Sequence, residues 1–476
     1  MTVIPISLSV AASYLTSSAM VATCMEVYLY GMQYIIGSWW YIVMGIISAW
    51  IYLPVSYSIR SASSFEFFDR RFNSHIRKLA SFIYAVETIL HTAMTQYVPA
   101  LSLSQATGFS VFPVACILSS ICFVYTASGG LKAVAWADSF QALLFIVAST
   151  VISIVGIVMI GGPAAIWDRG VEGSRMDFFN FDSFLNVRYS TPNLLIGGAL
   201  MLIHYYLSPS FHQRVASMPT FTTARQVVIW SSVFAGIFMA SNSVNGAVVY
   251  AYFAGCDPVL AKKGIKSHST ILPYFVKQVS KAVPGLEGLF LSGVIAAGLS
   301  WEKRPQENRL SNSHGDRMFL PWVNSKGVLA GSLTSGVFTI YVVLGSQHAK
   351  KNKLVRDLPK LLTTAMCLIN GTYTTESLNM TTSIGTTGPG MVTESDPTVP
   401  QLFKMSVMLY MVPGAVLGLV VSLLISFLTG AQDLATVDRE MIVPLMHWVL
   451  PRPKGESTAD VPLKEYVQVS QIEVEG

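Results

Sequence analysis

Residues 138–161, DSFQALLFIVASTVISIVGIVMIG, indicate the architecture of this chain, because Asp138 is the only charged residue in an otherwise mainly apolar run. A helix that crosses a membrane needs about 20 mainly apolar residues. Nine other runs in the sequence are similar in length and character, so the sequence predicts an all-α membrane protein with about ten transmembrane helices. The ten runs lie at about 3–25, 33–55, 79–104, 111–128, 138–161, 193–211, 227–254, 283–300, 319–345 and 405–428.

The composition excludes several classes of protein. Of the 476 residues, 52% are hydrophobic and only 12% are charged, whereas a soluble domain carries about 25% charged residues. The five cysteines show no zinc-ligand spacing. The sequence contains neither a phosphate-binding loop nor the hydrolase and metalloprotease motifs, and no basic surface with interleaved aromatic residues. We therefore expect no enzyme, no bound cofactor and no nucleic-acid partner; the expected surroundings are a lipid bilayer.

Loop charges predict the orientation in the membrane. The loop 56–78 is strongly basic, which marks the cytoplasmic side, and Lys132, Arg214 and Arg225 are expected in alternate loops on the same side. The lysines of 255–270 disagree, but the larger cluster takes precedence. The basic residues of the first loop are Arg60, Arg70, Arg71, Arg77 and Lys78.

This orientation places the tail 431–476 in the cytoplasm and the loop 346–404 outside the cell. That loop contains two N-x-S/T sequons, at Asn370 and Asn379, which are therefore candidate glycosylation sites. Cys256 and Cys367 both fall in predicted extracellular loops, where a disulfide is allowed. A bridge needs the two Cα atoms within about 7 Å of each other.

Polar residues inside apolar runs are candidates for function, because each one costs free energy in lipid. Residues 11–19, AASYLTSSA, cluster small and hydroxyl side chains. Such a cluster either unwinds the helix, so that freed carbonyls coordinate a cation, or allows a close helix–helix contact. Glu87 and His91 lie four apart and share a helix face. In the functional interpretation they relay a proton or bind a charged group. In the structural interpretation the two side chains bond each other against a neighbouring helix.

Two further polar features have structural as well as functional interpretations. Asp138 opens its run, where a carboxylate commonly faces the N-terminal end of the helix dipole. Ser241, Asn242, Ser243 and Asn245 form a polar cluster in the run 227–254. Such side chains most often form hydrogen bonds across helices.

Several stretches resemble the sodium/solute symporter family, in the branch that carries monocarboxylates and the vitamins biotin and pantothenate. The resemblance covers residues 1–300 and again about 319–430. The stretches that carry it are MTVIPISLS at 1–9, EVYLYG at 26–31, FEFFDRRF at 65–72, YTASGGLKA at 125–133, VAWADSFQ at 134–141, QR at 213–214, CDPVLAKK at 256–263, PGLEGLF at 284–290 and PWVNSKG at 321–327.

The resemblance implies a five-plus-five inverted-repeat bundle that binds its substrate at the middle of the membrane. Its sodium site would lie between the first core helix and the eighth, with carbonyls of Ala12 and Leu15 and the hydroxyl of Ser300 as ligands. Asp138 matches an acid on the cytoplasmic route of the cation. The substrate would contact the first, second, third and sixth helices, and the candidate residues are Thr16, Ser17, Glu87, His91 and Ser210.

The chain also departs from the family pattern. The usual glycine of the first helix break is Ser17, and Ser208-Pro209 replaces an Asn-Gln pair. Residues 301–318 are hydrophilic and replace the end of the eighth helix and about two later helices, as a splice form or a wrongly joined gene model would. Lys303 and Arg304 occupy the positions of two serines in the sodium site.

These departures define four regions and two functional hypotheses. Residues 1–300 hold core helices one to eight, 301–318 the junction, 319–430 the last two membrane helices with the outer loop, and 431–476 the tail. The first hypothesis is sodium-coupled symport of a small organic anion across the plasma membrane, impaired in this shortened form. The alternative is a non-transporting sensor or regulatory partner on the same scaffold.

Overall fold

The computed structural model describes residues 2–13, 16–58, 65–182, 185–262, 265, 267–302, 321–357, 359–369, 372–373, 394–395, 397–434 and 441–449. These residues are mostly helical. The helices are α1 (Val3–Ala12), α2 (Ser17–Tyr30), α3 (Ile36–Ile51), α4 (Leu53–Ser58), α5 (Glu66–Arg71), α6 (Ser74–Thr107), α7 (Val111–Ile160), α8 (Pro163–Glu172), α9 (Thr191–Tyr206), α10 (Pro209–Ala216), α11 (Phe221–Phe253), α12 (Ile271–Val279), α13 (Leu286–Glu302), α14 (Ser325–Lys351) and α15 (Met411–Leu428).

Five of the described helical segments are long and apolar enough to cross a membrane, and the bent pair α9–α10 makes a sixth. The five are Met32–Ile51, Val134–Ile160, Phe221–Phe253, Ser325–Lys351 and Val407–Leu428. Shorter apolar helices accompany them, among them α1 and the segment Leu286–Ala297 of α13. The 34-residue α6 is long enough but not apolar enough to be one of the five. The protein is a multi-pass membrane protein.

The structure differs from the sequence-based prediction at the fourth and fifth runs. The runs 111–128 and 138–161 are joined in one continuous helix, the 50-residue α7. No proline interrupts residues 129–137, and Leu131, Lys132 and Ala133 favour helix after the two glycines. Lys132 therefore lies in a helix, as do Arg214 in α10 and Arg225 in α11, and not in the loops that we expected.

The helix α11 lies at the centre of the bundle and contacts α1, α2, α3 and α7. The rings of Phe145 and Phe238 stack at 4.2 Å across the contact between α7 and α11. The polar cluster of α11 is also turned inward. Ser149 donates a hydrogen bond to Asn242 (3.1 Å), and Ser153 donates one to Asn245 (2.6 Å). These hydroxyls and amides therefore cross-link two helices, which is the structural interpretation of the cluster.

The last two long helices, α14 and α15, pack against each other through small residues. A Cβ atom added to Gly331 would stand 1.9 Å from the hydroxyl of Ser422, and one added to Gly327 would stand equally close to Ser426. Such glycines let two membrane helices approach closely. Between α14 and α15 the chain forms two short antiparallel ladders, which the all-α prediction did not include. Val355–Arg356 pairs with Glu394–Ser395, and Leu368–Ile369 with Thr372–Tyr373.

Candidate functional site

The first run is broken where the small and hydroxyl residues cluster. The helix α1 ends at the buried Ala12, and α2 begins at Ser17. Thr16 caps α2, because its hydroxyl accepts a hydrogen bond from the N–H of Ala19 (3.1 Å). The last carbonyls of a helix have no partner within it, so the break provides oxygen atoms of the kind that a sodium ion binds. Leu15, the other expected carbonyl ligand, lies outside the described residues.

The sixth run is broken as well. The helices α9 and α10 meet at an angle of 55°, and the turn lies at Leu207 and Ser208. Ser208 caps α10 by accepting from the N–H of Phe211 (3.3 Å), and Pro209 occupies the first turn, where its missing N–H costs little. The Ser208-Pro209 pair, which departs from the family pattern, is therefore the local cause of the break.

The two breaks are joined by a hydrogen bond. The hydroxyl of Tyr205, at the end of α9, donates to the carbonyl of Val10, near the end of α1 (2.8 Å). Both residues are buried. The broken first run and the broken sixth run therefore lie against each other in the interior.

Asp138 and Arg214 form a buried ion pair beside these breaks. Nη2 of Arg214 lies 2.9 Å from Oδ2 of Asp138, and the two side chains are 5% and 0% exposed. Ser9 donates to Asp138 (3.0 Å) and accepts from Nε of Arg214 (2.9 Å), and Arg214 also donates to Ser210 (2.6 Å). The network ties α1, α7 and α10 together.

This network changes the interpretation of two residues. Asp138 lies in the interior of α7, so the expectation of a carboxylate at a helix start is wrong. Its negative charge is compensated by Arg214, and the helix dipole has no part in it. Ser210, expected near the substrate, is bonded to Arg214 in the same network. The available sequence signal was a lone acid in one apolar run and an arginine three residues after the end of another.

The third candidate region is the face of α6 that passes both breaks. The hydroxyl of Ser17 donates to the carbonyl of Thr95 (3.4 Å). Two turns earlier on the same face, Oε1 of Glu87 lies 3.7 Å from Nε2 of His204, two residues before the end of α9. A contact partner of Glu87 is thus on another helix, and the contact is an ion pair when His204 is protonated. His91 lies between Glu87 and Thr95 on the same face. His204 was not among the residues that the sequence indicated.

The eighth helix is represented by α13, which packs against α7, α6 and α2. Ser300 lies in its last turn, and the backbone of α13 is described as far as Glu302. The side chain of Ser300 and the whole of Lys303 and Arg304 lie outside the described parts, so the sodium site expected there remains a prediction.

The C-terminal end of α2 is held by residues 359–367, which we call the outer strap because the loop 346–404 is predicted to be extracellular. The buried guanidinium of Arg175 donates to the carbonyls of Lys360 and Leu361 (3.2 and 3.1 Å) as well as to that of Tyr28 (2.9 Å). The N–H of Lys360 donates to Leu29 (2.9 Å). Tyr250 completes the site, because its ring lies 3.8 Å below the guanidinium.

A disulfide anchors the far end of the outer strap. Cys256 and Cys367, the pair expected from the sequence, are bonded, with their Cα atoms 4.9 Å apart. Next to Cys256, the N–H of Asp257 donates to the carbonyl of Thr363 (2.9 Å). The candidate glycosylation residues Asn370 and Asn379 lie outside the described residues and stay predictions.

Asp257 is the centre of a small polar cluster under the strap. It is buried, which raises the pKa of its carboxyl. Donors from His268 (2.9 Å), the N–H of Leu260 (2.8 Å) and Tyr28 (2.8 Å) outweigh that effect, so the pKa lies below its ordinary value. The carboxylate is therefore ionised at neutral pH.

A second outer cluster surrounds Arg188. Its guanidinium donates to both oxygens of Glu26 (2.7 and 3.1 Å) and to Asp357, which also accepts from Lys350 (2.7 Å). Burial opposes the charge, yet Tyr189, Glu26 and Tyr30 raise the pKa of Arg188 above its ordinary value. The cluster joins α2 to α14 and to the loop after it.

The described residues contain no group of three or more His, Cys, Asp or Glu side chains that could hold a metal ion. The oxygens at the two breaks are carbonyls and hydroxyls. Such oxygens are typical ligands of a hard cation such as sodium, whereas transition metals prefer nitrogen and sulfur ligands.

Comparison with known proteins identifies the family. The model of the sodium:solute symporter family matches residues 1–301. The chain belongs to this family. Its members are transporters and not enzymes, as the sequence predicted. The matched region ends just before Lys303, so the junction and the last two long helices lie beyond it.

The similar curated proteins are transporters of several solutes. The chain is 30% identical to sodium-coupled monocarboxylate transporter 1 of Xenopus laevis over 301 residues, which are 63% of this chain and 48% of that protein. It is 28% identical to the sodium/iodide cotransporter of Homo sapiens over 298 residues, 62% and 46% of the two chains. A putative sodium-dependent multivitamin transporter of Drosophila melanogaster is 30% identical over 302 residues, 63% and 50%. The matched part is thus about half the length of these relatives.

The fold is also that of a solved transporter. The structure of a Na⁺-coupled sialic acid symporter in a substrate-bound outward-open state superposes with a TM-score of 0.67 at 16% identity, and covers 91% of each chain. At this identity the likeness concerns the fold alone.

Proposed function

We propose that this chain is a sodium-coupled symporter for a small organic anion in the plasma membrane, and that its sodium site is incomplete in this form. The observation that carries the proposal is the hydrogen bond from Tyr205 to the carbonyl of Val10, which joins two broken helices in the interior. Broken helices that meet in this way provide the ion and substrate sites of many secondary transporters.

The proposed architecture is the five-plus-five inverted repeat. It is supported by the breaks in the first and the sixth runs, which are related positions in two five-helix repeats. The substrate would then lie between the breaks, with Thr16, Ser17, His91 and Ser210 near it, and Asp138 on the cytoplasmic route of the cation. Monocarboxylates and biotin- or pantothenate-like vitamins are the proposed substrates, because relatives named for them are about 30% identical to this chain.

The proposed weakness of the sodium site has a physical reason. Carbonyls of Ala12 and Leu15 would supply half of the ligands, and hydroxyls of the eighth helix the rest. Here Ser300 is followed by Lys303 and Arg304, where the family has two serines. If each lost ligand costs about 1.5–3 kcal/mol, sodium binding is weakened by about 10²- to 10⁴-fold, and the two cations repel the ion further.

Tracer uptake tests the proposal. Cells that express the chain are given labelled lactate or biotin with either sodium or choline outside. We expect uptake above that of control cells in sodium, rising almost linearly with sodium concentration. Uptake equal in sodium and choline would contradict coupling to sodium. No uptake in any condition, with the protein at the cell surface, would favour the alternative of a non-transporting sensor or regulatory partner.

A further inference from the structure

The face of α6 that links the two helix breaks carries ionisable groups that the proposed sodium mechanism does not use. Glu87, His91 and Thr95 follow one another at intervals of four residues, so they form one line about 12 Å long at 1.5 Å per residue. At one end of the line, the backbone carbonyl of Thr95 accepts from the hydroxyl of Ser17 at the first break (3.4 Å). At the other end, Glu87 pairs with His204 at the second break (3.7 Å).

The surroundings of the Glu87–His204 pair are apolar. Leu90 and Met94, which lie near Glu87 on α6, are apolar and 62% and 73% exposed. The side chains of Glu87 and His204 are themselves 42% and 29% exposed. Ionisable residues in such a position are costly, and in transporters they mark routes for ions and protons.

Other charged groups on the elements that pack against α6 and α9 have partners of their own. On α5 and the start of α6, Glu66 pairs with Arg70, Asp69 pairs with Arg77, and Arg71 donates to the carbonyl of Pro321. Glu26 on α2 pairs with Arg188. Asp138 on α7 pairs with Arg214 on α10. The remaining titratable groups on these elements are His75, Lys78, Tyr84, His91 and Tyr97 on α6, Cys24, Tyr28 and Tyr30 on α2, Cys116 and Cys122 on α7, Glu287 at the start of α13, His212 on α10, and tyrosines of α3 and α9. Side chains of Tyr125, Lys132 and Glu302 lie outside the described parts. The Glu87–His204 pair is thus a second pair of ionisable groups near the breaks, beside the second break and apart from the buried Asp138–Arg214 ion pair.

The charge of this pair depends on the number of protons that it holds. With one proton the pair is neutral, whichever of the two groups carries it, and this is the form that an apolar environment favours. With no proton the pair is negative and repels an anion. With two protons it is positive and attracts one.

We infer that Glu87 and His204 form a proton-binding site on the substrate route, and that a proton bound there accompanies the organic anion. The coupling of the proton to the organic anion rests on the proposed function, whereas the proton-binding site itself does not. An anion that approaches from the breaks stabilises the doubly protonated pair, so anion binding and proton binding strengthen each other by the same factor. The chain would thereby gain a coupling ion that does not depend on the weakened sodium site.

Infrared titration of the purified protein tests the proton site without any transport. The spectrum is followed from pH 8 to pH 5 for the original chain and for Glu87→Gln, His204→Gln and His75→Gln. The last is the control, because it removes an imidazole from the exposed first turn of the same helix. We expect the carbonyl band of one protonated carboxyl to be missing from Glu87→Gln. In His204→Gln the midpoint of that band should differ from that of the original chain, because the carboxylate loses its partner, and in His75→Gln it should not.

The outcome that overturns the proton site is a Glu87 band whose midpoint is the same in His204→Gln and His75→Gln. It would mean that the two groups titrate independently. A protein in which Glu87→Gln removes no band would overturn the site equally, since Glu87 would then hold no proton in this range.

Binding of labelled biotin tests the coupling. Biotin keeps its carboxylate ionised at both pH 7.5 and pH 5.5, because the ordinary pKa of a carboxyl is near 4. We expect binding at least about fivefold tighter at pH 5.5, with sodium or choline present. The pH dependence should vanish in Glu87→Gln and persist in His75→Gln. Binding that does not change with pH would overturn the coupling alone. The absence of binding at either pH would overturn the coupling together with biotin as a substrate, while the infrared result would still decide on the proton site.

Discussion

The hydroxyl of Tyr205 donates to the carbonyl of Val10 over 2.8 Å, and so joins the end of α9 to the end of α1. Both helices break within a few residues of this contact. The same carbonyl also accepts from the N–H of Ser13 at the end of α1 (3.1 Å), so the tyrosine is its second donor and comes from another helix. The contact therefore fixes the relative position of the two breaks on which the proposed function depends.

Replacing Tyr205 by Phe removes this hydrogen bond and leaves the Val10 carbonyl buried. We expect the free energy of unfolding to fall by about 0.5–1.5 kcal/mol, the usual net contribution of one hydrogen bond, because the N–H of Ser13 still bonds this carbonyl. Thermal denaturation of the detergent-solubilised protein measures this. The matched control is Tyr97→Phe, whose side chain is 54% exposed. Equal denaturation midpoints for the two variants would show that the contact does not hold the breaks together.

Removing one partner of the Asp138–Arg214 pair is expected to be more damaging. The Asp138→Asn variant leaves a buried guanidinium without its counter-charge, which costs about 3–5 kcal/mol. The double variant Asp138→Asn, Arg214→Gln leaves no unpaired charge and should recover part of the loss. The same denaturation assay checks both variants, with the exposed Asp168→Asn as control. A double variant less stable than Asp138→Asn would contradict this account of the pair.

The disulfide is expected to hold the outer strap on α2. Reduction, or the double change Cys256→Ser and Cys367→Ser, should expose residues 359–367 to protease and lower stability by about 2–4 kcal/mol, as is usual for a native bridge. Mass spectrometry of non-reduced peptides should find the two cysteines linked. The control is Cys116→Ser, which removes an exposed free thiol. Peptides with Cys256 alkylated in the non-reduced protein would contradict the pairing.

Asp257 predicts a pH dependence of stability. Its pKa lies below the ordinary value in the folded protein, because hydrogen-bond donors from His268, Leu260 and Tyr28 outweigh its burial. A carboxyl of this kind contributes stability above its unfolded pKa of about 3.9, and the contribution is lost as the pH falls through the folded value. The original chain should therefore exceed Asp257→Asn in denaturation midpoint at pH 6, and the difference should shrink towards pH 3. A difference that stays constant over this range would refute the assignment.

The sequence predicted the features that depend on local composition. The small and hydroxyl residues of the first run left a break and a close helix–helix contact both open, and the resemblance to the family indicated the break. The cysteine pair was allowed by the predicted sides of two loops. Loop charges were less reliable, because a buried arginine and a loop arginine look the same in a sequence. Arg214 was placed in a loop for this reason.

The features that the sequence did not indicate arise from contacts between distant segments. His204 comes to Glu87 from another helix, and no local pattern marks the pair. The continuity of α7 depends on residues 129–137, where two glycines weaken a helix but nothing prevents one. The outer strap is held mainly by backbone carbonyls around Arg175, and backbone groups are the same in every sequence.

Uptake of labelled biotin or lactate as a function of sodium concentration is the most direct test of the central claim. It is measured for the original chain, for Lys303→Ser with Arg304→Ser, and for Lys277→Ser with Lys281→Ser. The last pair is the control, because it also removes two positive charges, one in α12 and one just after it. The account predicts uptake that does not saturate up to about 150 mM sodium in the original chain and in the control, since the site is weakened by about 10²- to 10⁴-fold. It predicts a stronger sodium dependence of uptake for the variant in which serines replace Lys303 and Arg304. Robust uptake by the original chain that saturates at ordinary sodium concentrations would contradict it.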